Sequence, residues 1–69
     1  MTYFAAISKF QDKEFKIVGS SVSKSACSRI ANKRVTDVYG NRNTNYGEIN
    51  ICEFEDLTDA RDYVKLINN

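Results

Sequence analysis

The order of the strand and helix patterns along this chain constrains its fold more than any other feature. Four segments have the apolar, aromatic or β-branched character of strands: residues 2–10, 14–20, 35–39 and 48–54. Two segments carry apolar residues at helical spacing: residues 24–34, and a stretch that follows Asp56 and runs nearly to the C-terminus. The order ββαββα predicts an α+β protein, with an antiparallel sheet of about four strands and two helices packed on one face.

The length of 69 residues fits one small binding domain that covers residues 1–69. A hydrophobic content of 42% is enough for one core, and 28% charged residues without a low-complexity tract argue against disorder. No apolar run approaches the roughly 20 residues that cross a bilayer, and the N-terminus lacks a basic lead-in to an apolar stretch. We therefore expect a cytoplasmic protein without a membrane partner.

A sheet covered by helices on one face leaves its second face open. Strand residues predicted on that second face are apolar, namely Ile7, Val18 and either Val35 or Val38. A solvated face would be polar. The mismatch indicates either a partner surface, through which a homodimer could form, or a twisted sheet whose faces are mixed at the edges.

Polar residues predict where the helices begin and where the longest loop lies. Ser21 or Ser23 can cap the first helix, and Asp56 can cap the second with Asp59 three residues on. Residues 40–47 contain two glycines and three asparagines, which is typical of a loop.

The residues that usually carry out catalysis are missing or badly spaced. The chain has no His, and Cys27 and Cys52 are too far apart in sequence for a typical zinc motif. Both thiols are expected to act as small apolar side chains, although the spacing also permits a disulfide. The acidic residues near Asp56 are explained by favourable charge at a helix start, and Cys27 falls on the core side of the first helix. We expect no enzyme activity, no cofactor and no metal site.

The charges divide between the two halves of the chain, with a net charge of +5 over residues 1–42 and −4 over residues 43–69. This asymmetry predicts a polarised surface. The candidate partner-binding residues are the bases of the first helix and the polar residues of the long loop: Lys24, Arg29, Lys33, Arg34, Asn41, Arg42, Asn43, Asn45 and Tyr46. Such side chains can contact nucleic-acid phosphates or a protein interface, but they also occur on ordinary solvated helices and turns.

The start of the first helix, Ser21-Val22-Ser23-Lys24-Ser25-Ala26 through Ile30-Ala31, is similar to helix starts in small phage-encoded inhibitors of the anti-CRISPR type. Those proteins are compact α+β domains without catalytic residues. The resemblance covers about a sixth of the chain. It implies stoichiometric binding to a host protein or nucleoprotein complex in the host cytoplasm.

Two functions follow as expectations, and a third possibility stays open. The first is a non-catalytic inhibitor or adaptor that binds a host protein or nucleoprotein complex and blocks its nucleic-acid or partner site. The second is a small DNA- or RNA-binding regulator that uses the basic helix and the 40–47 loop; near-neutral charge and the lack of an aromatic RNA-binding motif weaken it. The third is a structural subunit that assembles through an open sheet face.

Overall fold

The computed structural model describes residues 2–69 and contains three strands and two helices. In chain order these are β1 (Tyr3–Phe10), β2 (Glu14–Ser21), α1 (Lys24–Arg34), β3 (Asn50–Phe54) and α2 (Leu57–Ile67). The sheet is antiparallel with the strand order β2-β1-β3, so β1 lies in the centre. The α+β class, the antiparallel sheet and the two helices are confirmed. Of the four predicted strands three are formed within residues 2–69, and the one predicted over residues 35–39 is not.

A tight hairpin joins β1 to β2. Gln11 and Asp12 both adopt positive φ angles, 53° and 54°, and the amide of Lys13 donates to the carbonyl of Phe10 over 3.0 Å. The register then shifts in mid-strand, because Ile17 lies opposite Ile7 whereas Gly19 lies opposite Ala6. Val18 is the extra residue of this bulge, and its side chain joins the core.

Helix α1 packs on one face of the sheet. Ser23 caps it, with its side-chain oxygen accepting from the amide of Ala26 at 3.4 Å. Its buried residues, Cys27 and Ala31, meet Ala6 of β1 in the main core. The predicted bounds of this helix, residues 24–34, are confirmed.

Helix α2 packs on the other face. Asp56 caps it, with Oδ1 accepting from the amide of Asp59 at 2.9 Å. Ala60 is fully buried, and Tyr63 packs against Phe54 of β3 with ring centroids 5.5 Å apart. At the end of the helix, the side chain of Asn68 hydrogen bonds to the main chain of Phe15 in β2.

The result is a helix–sheet–helix sandwich, so the prediction of two helices on one face is wrong. The helices contact all three strands but not each other. Residues Ala5 to Ser8 of β1 are buried in an unbroken run, as expected for a central strand covered on both sides. Ile7, which was placed on an open face, is only 3% exposed beneath α2, and Val18 faces α1. The open sheet face proposed for a homodimer therefore does not exist.

Residues 35–39 do not form the predicted third strand. Val35 is the buried C-cap of α1, and Thr36 makes one isolated β-bridge with Arg42. Asp37 begins a turn that closes when the amide of Gly40 donates to its carbonyl over 3.1 Å. The turn outweighs the strand preference of Val38 and Tyr39.

The last strand is shorter than predicted. It begins at Asn50, not Glu48. Upstream of it the chain stays beside β1, since Tyr46 makes an isolated bridge with Phe10 and the Gly47 amide donates to the carbonyl of Lys9 over 2.8 Å. Within residues 2–69, neither helix is long and apolar enough to cross a membrane.

Candidate partner-binding surface

The four bases of α1 are all exposed to solvent. Arg29 and Lys33 lie one turn apart on the outer side of the helix, while Lys24 begins it and Arg34 ends it. No acidic residue occurs in α1. Over the described part of the chain, residues 2–69, the one ion pair joins Lys16 and Glu14, so the α1 bases are not neutralised by salt bridges.

The acidic residues before and at the start of α2 and the bases at the end of α1 lie at opposite ends of the sandwich. The register places the ends of β2 and β3 beside the start of β1, so both helices begin at that end. The acidic residues around the α2 N-terminus lie there, where negative charge is favourable. At the other end lie Lys33, Arg34 and Arg42, together with the loop that follows α1.

A hydrogen-bonded turn projects from this basic end. The Oδ1 atom of Asp37 accepts from the amides of Tyr39 at 2.8 Å and Asn41 at 2.9 Å, and the Asp37 amide donates to the Asn41 carbonyl over 2.9 Å. Gly40 has a φ of 83°, in the left-handed region that favours glycine. Residues 37–41 are therefore held in one shape by the Asp37 side chain together with main-chain hydrogen bonds.

Two apolar residues stand at the tip of this turn. Val38 is 93% exposed and Tyr39 is 86% exposed, and we refer to the pair as the Val38–Tyr39 tip. The β-branched and aromatic side chains of Val38 and Tyr39 are typical of a strand, so the sequence pattern does not predict the tip. The signal was present, since Asp at the first and Gly at the fourth position of Asp37-Val38-Tyr39-Gly40 are typical of a type I turn.

The other loop residues predicted to bind a partner divide between exposed and structural positions. Asn41, Asn43 and Asn45 are exposed, although the Asn43 side chain accepts from the Asn45 amide at 2.9 Å. The guanidinium of Arg42 donates to the carbonyl of Gly47. Each of these contacts stiffens the loop and leaves part of the side chain accessible.

Tyr46 is the predicted site residue with the most structural role. Its ring is half-buried and packs edge-to-face on Phe10, with centroids 5.0 Å apart. It therefore supports the base of the loop. Tyr39, seven residues earlier, is the most exposed tyrosine within residues 2–69.

The two cysteines are free and lie on different faces of the sheet. Cys27 is buried beneath α1, and its thiol donates to the carbonyl of Gly19 over 3.6 Å. Burial raises the pKa of the Cys27 thiol. Cys52 is half-buried on the α2 face. Residues 2–69 contain no cluster of three or more acidic or cysteine side chains placed to hold a metal ion.

The later bases of α1, the 40–47 loop and the Val38–Tyr39 tip therefore lie at and beside the basic end of the sandwich, whereas Lys24 lies at the opposite end, where α1 begins. A scan of protein-family models and searches of curated proteins and of solved structures found no match to this chain.

Proposed function

We propose that this chain is a non-catalytic inhibitor or adaptor that docks on a larger protein or nucleoprotein complex through the Val38–Tyr39 tip and the bases beside it. The observation that carries the proposal is the exposure of Val38 and Tyr39, 93% and 86%, on a turn fixed by hydrogen bonds. In the free protein both side chains are almost fully exposed, so their burial adds almost nothing to the free energy of unfolding. Val38 would gain about 1.5–3 kcal/mol if fully buried by a partner, and the Tyr39 ring would add a larger apolar area.

The shape of the turn supports a binding role. Association costs free energy when a flexible loop must be ordered, and a turn that is already held by Asp37 avoids much of that cost. Tyrosine and arginine are also the residue types that most often dominate binding energy at interfaces. Lys33 lines the same groove as Val38, and Arg42 lies opposite Thr36 at the base of the turn, so the apolar tip is bordered by positive charge.

We expect this chain to act on its partner by steric block of a binding site. A domain of this size can cover a nucleic-acid or partner site of a host complex in the host cytoplasm, which is how the anti-CRISPR type of inhibitor suggested by the start of α1 would act. Besides the tip, we assign to this contact the bases of α1 and the exposed loop residues: Lys24, Arg29, Lys33, Arg34, Asn41, Arg42, Asn43 and Asn45. Tyr46 supports the loop from its half-buried position on Phe10.

Affinity capture from bacterial lysate, with matched variants as bait, tests the proposal. The bait proteins are wild type, V38S/Y39S and L66S, where Leu66 is a control because it is 70% exposed on α2, away from the tip. Each capture is repeated with nuclease. We expect one protein complex to be held by wild type and L66S, with and without nuclease, and lost by V38S/Y39S. Retention of that complex by V38S/Y39S, with its fold intact by circular dichroism, contradicts the proposal.

A nucleic-acid-binding regulator is the second candidate, favoured by the four exposed bases of α1 and the absence of acids from that helix. Its test is the affinity for DNA and RNA oligonucleotides at several salt concentrations. Each phosphate neutralised contributes a slope of about −0.9 to log K against log salt. R29A/K33A should make the slope shallower by nearly two units. R61A on α2 should leave the slope unchanged.

A further inference from the structure

The outer edge of β2 is covered at one position by a side chain from the C-terminus. The amide of Phe15 donates to Oδ1 of Asn68 over 2.7 Å, and Nδ2 of Asn68 donates to the carbonyl of Phe15 over 3.0 Å. Both main-chain groups of Phe15 thus point away from β1. In an antiparallel ladder alternate residues face the same side, so those of Ile17 point to the same outer edge.

Asn68 occupies the place that a residue of a neighbouring strand would take. A carboxamide offers one acceptor oxygen and an N–H donor, the same pair that a peptide offers to an opposing residue. Exposed edges invite pairing with another chain, and proteins commonly block them. The two hydrogen bonds of Asn68 close the β2 edge near the start of the strand, at its second residue.

The sequence around Phe15 is complementary to itself. If two β2 strands pair antiparallel about a twofold axis at Phe15, the two Phe15 residues lie opposite each other, and Glu14 of each copy lies opposite Lys16 of the other. Opposite charges and aromatic pairs directly across a ladder are stabilising. Glu14 and Lys16 already lie on one face of β2 within a single chain, with Nζ and Oε1 3.6 Å apart and both side chains about half exposed.

We propose that the β2 edge centred on Phe15 is a self-pairing surface for a second copy of this chain, and that Asn68 keeps it closed in the monomer. A second copy replaces the hydrogen bonds of Asn68 with those of its own Phe15 main chain. The contact inside one chain is favoured at low concentration because it needs no association. Pairing through this edge also leaves the Val38–Tyr39 tip outside the strand-to-strand contact.

Sedimentation equilibrium over a range of protein concentrations tests the role of Asn68. N68A removes both hydrogen bonds to Phe15, and N69A is the matched control at the next residue. We expect N68A to associate into dimers about tenfold or more tightly than wild type, since about 1.4 kcal/mol corresponds to tenfold. N69A should behave as wild type. A folded N68A that associates no more than wild type overturns the proposal.

Charge substitutions at Glu14 and Lys16 test the register of the proposed strand pair. They also distinguish pairing along the β2 edge from association through any other exposed part of the sheet. E14K in the N68A background places Lys opposite Lys at both ends of the pair and should return the protein to monomers. Adding K16E to give N68A/E14K/K16E restores opposite charges and should restore the dimer. If E14K leaves the N68A dimer intact, the contact lies elsewhere and the proposal is wrong.

The variant N68D tests whether association of N68A comes from the lost hydrogen bonds or from a disturbed packing of α2. N68D keeps an oxygen that accepts from the Phe15 amide but lacks the N–H that donates to the Phe15 carbonyl, so it should associate more than wild type and less than N68A. Hydrogen exchange at the Phe15 amide should be faster in N68A monomers than in wild type and slow again in the dimer. Exchange that stays fast in the dimer contradicts pairing at this edge.

Discussion

Gly19 of β2 lies directly beneath Ala31 of α1. A β-carbon built on Gly19 would be 2.9 Å from the main-chain nitrogen of Ala31 and 3.1 Å from the carbonyl oxygen of Cys27. Both atoms belong to the helix main chain, so neither can rotate away as a side chain could. The lack of a side chain at residue 19 therefore sets the distance between α1 and the sheet.

G19A should lower the free energy of unfolding by about 1–3 kcal/mol, the range typical of an overpacked core. The helix must shift as a whole, which loosens the packing of Ala6, Val18 and Ala31. Urea denaturation followed by circular dichroism measures the change. This loss is a large share of the stability of such a small domain.

G47A is the matched control for that substitution. A β-carbon on Gly47 would have its nearest neighbour, the Lys9 carbonyl oxygen, at an ordinary contact distance of 3.5 Å. We expect its unfolding free energy to stay within about 0.5 kcal/mol of wild type. Equal destabilisation by G19A and G47A would show that the close approach to α1 is not the cause.

Ser8 links the central strand to the base of the loop. It is fully buried, and its Oγ donates to the carbonyl of Gly47 over 3.0 Å. The same carbonyl accepts from Arg42. S8A should cost about 1 kcal/mol, because the carbonyl keeps one partner, and R42A should cost less because that contact is exposed.

The double variant S8A/R42A should cost more than the two single variants together. It leaves the half-buried Gly47 carbonyl without either protein donor, so that only water can satisfy it, and the excess over the sum of the single variants should be about 0.5–1 kcal/mol. A double-mutant cycle on urea denaturation data gives the coupling. Strict additivity would mean that the two groups do not share this acceptor in solution.

The parts of the fold that sequence could predict are those set by local signals. Ser23 and Asp56 mark both helix starts, and the apolar spacing after each gives the helices. The third strand was mispredicted because Val38 and Tyr39 favour strands, while the turn that overrides them depends on the side-chain hydrogen bonds of Asp37.

The placement of the helices depends on contacts that single segments do not encode. Ala6 and Ile7 are apolar on opposite faces of β1. This pattern fits a central strand covered on both sides, and it fits equally well an open sheet with an apolar face that binds a partner. Only the packing of α2 decides between them. For the binding surface, exposure of the α1 bases followed from helical spacing, whereas exposure of the Val38–Tyr39 tip required the turn to be recognised.

The two thiols should differ strongly in reactivity. Cys27 is buried and its pKa is raised by that burial, whereas Cys52 lines an open groove beneath α2 with Ile7 and Phe15. Thiolate is the reactive form, so iodoacetamide at pH 8.5 should modify Cys52 first and Cys27 only as the protein unfolds. Intact-mass spectrometry measures both steps, and C52S should remove the fast one.

The same burial predicts a loss of stability in alkali. Above the ordinary thiol pKa of about 8.5 the unfolded chain releases the Cys27 proton, while the folded chain retains it until the raised folded pKa is reached. The unfolded state then binds fewer protons, so the unfolding free energy falls as pH rises through this window. C27A should be less stable overall, with a smaller slope. An unchanged slope would assign the effect to other groups.

Asp37 should control the shape of the Val38–Tyr39 tip without controlling the fold. D37A removes the acceptor for the amides of Tyr39 and Asn41, so both amides should exchange hydrogen faster, while the unfolding free energy changes by no more than about 1 kcal/mol. D37N keeps Oδ1 and removes only the charge, so it should retain slow exchange at both amides.

If the tip anchors a partner, D37A should weaken binding by about fivefold to tenfold and D37N much less, because a mobile turn must be ordered on binding. Equal weakening by both variants would assign the effect to the carboxylate charge, and unchanged binding by both would remove the tip from the interface.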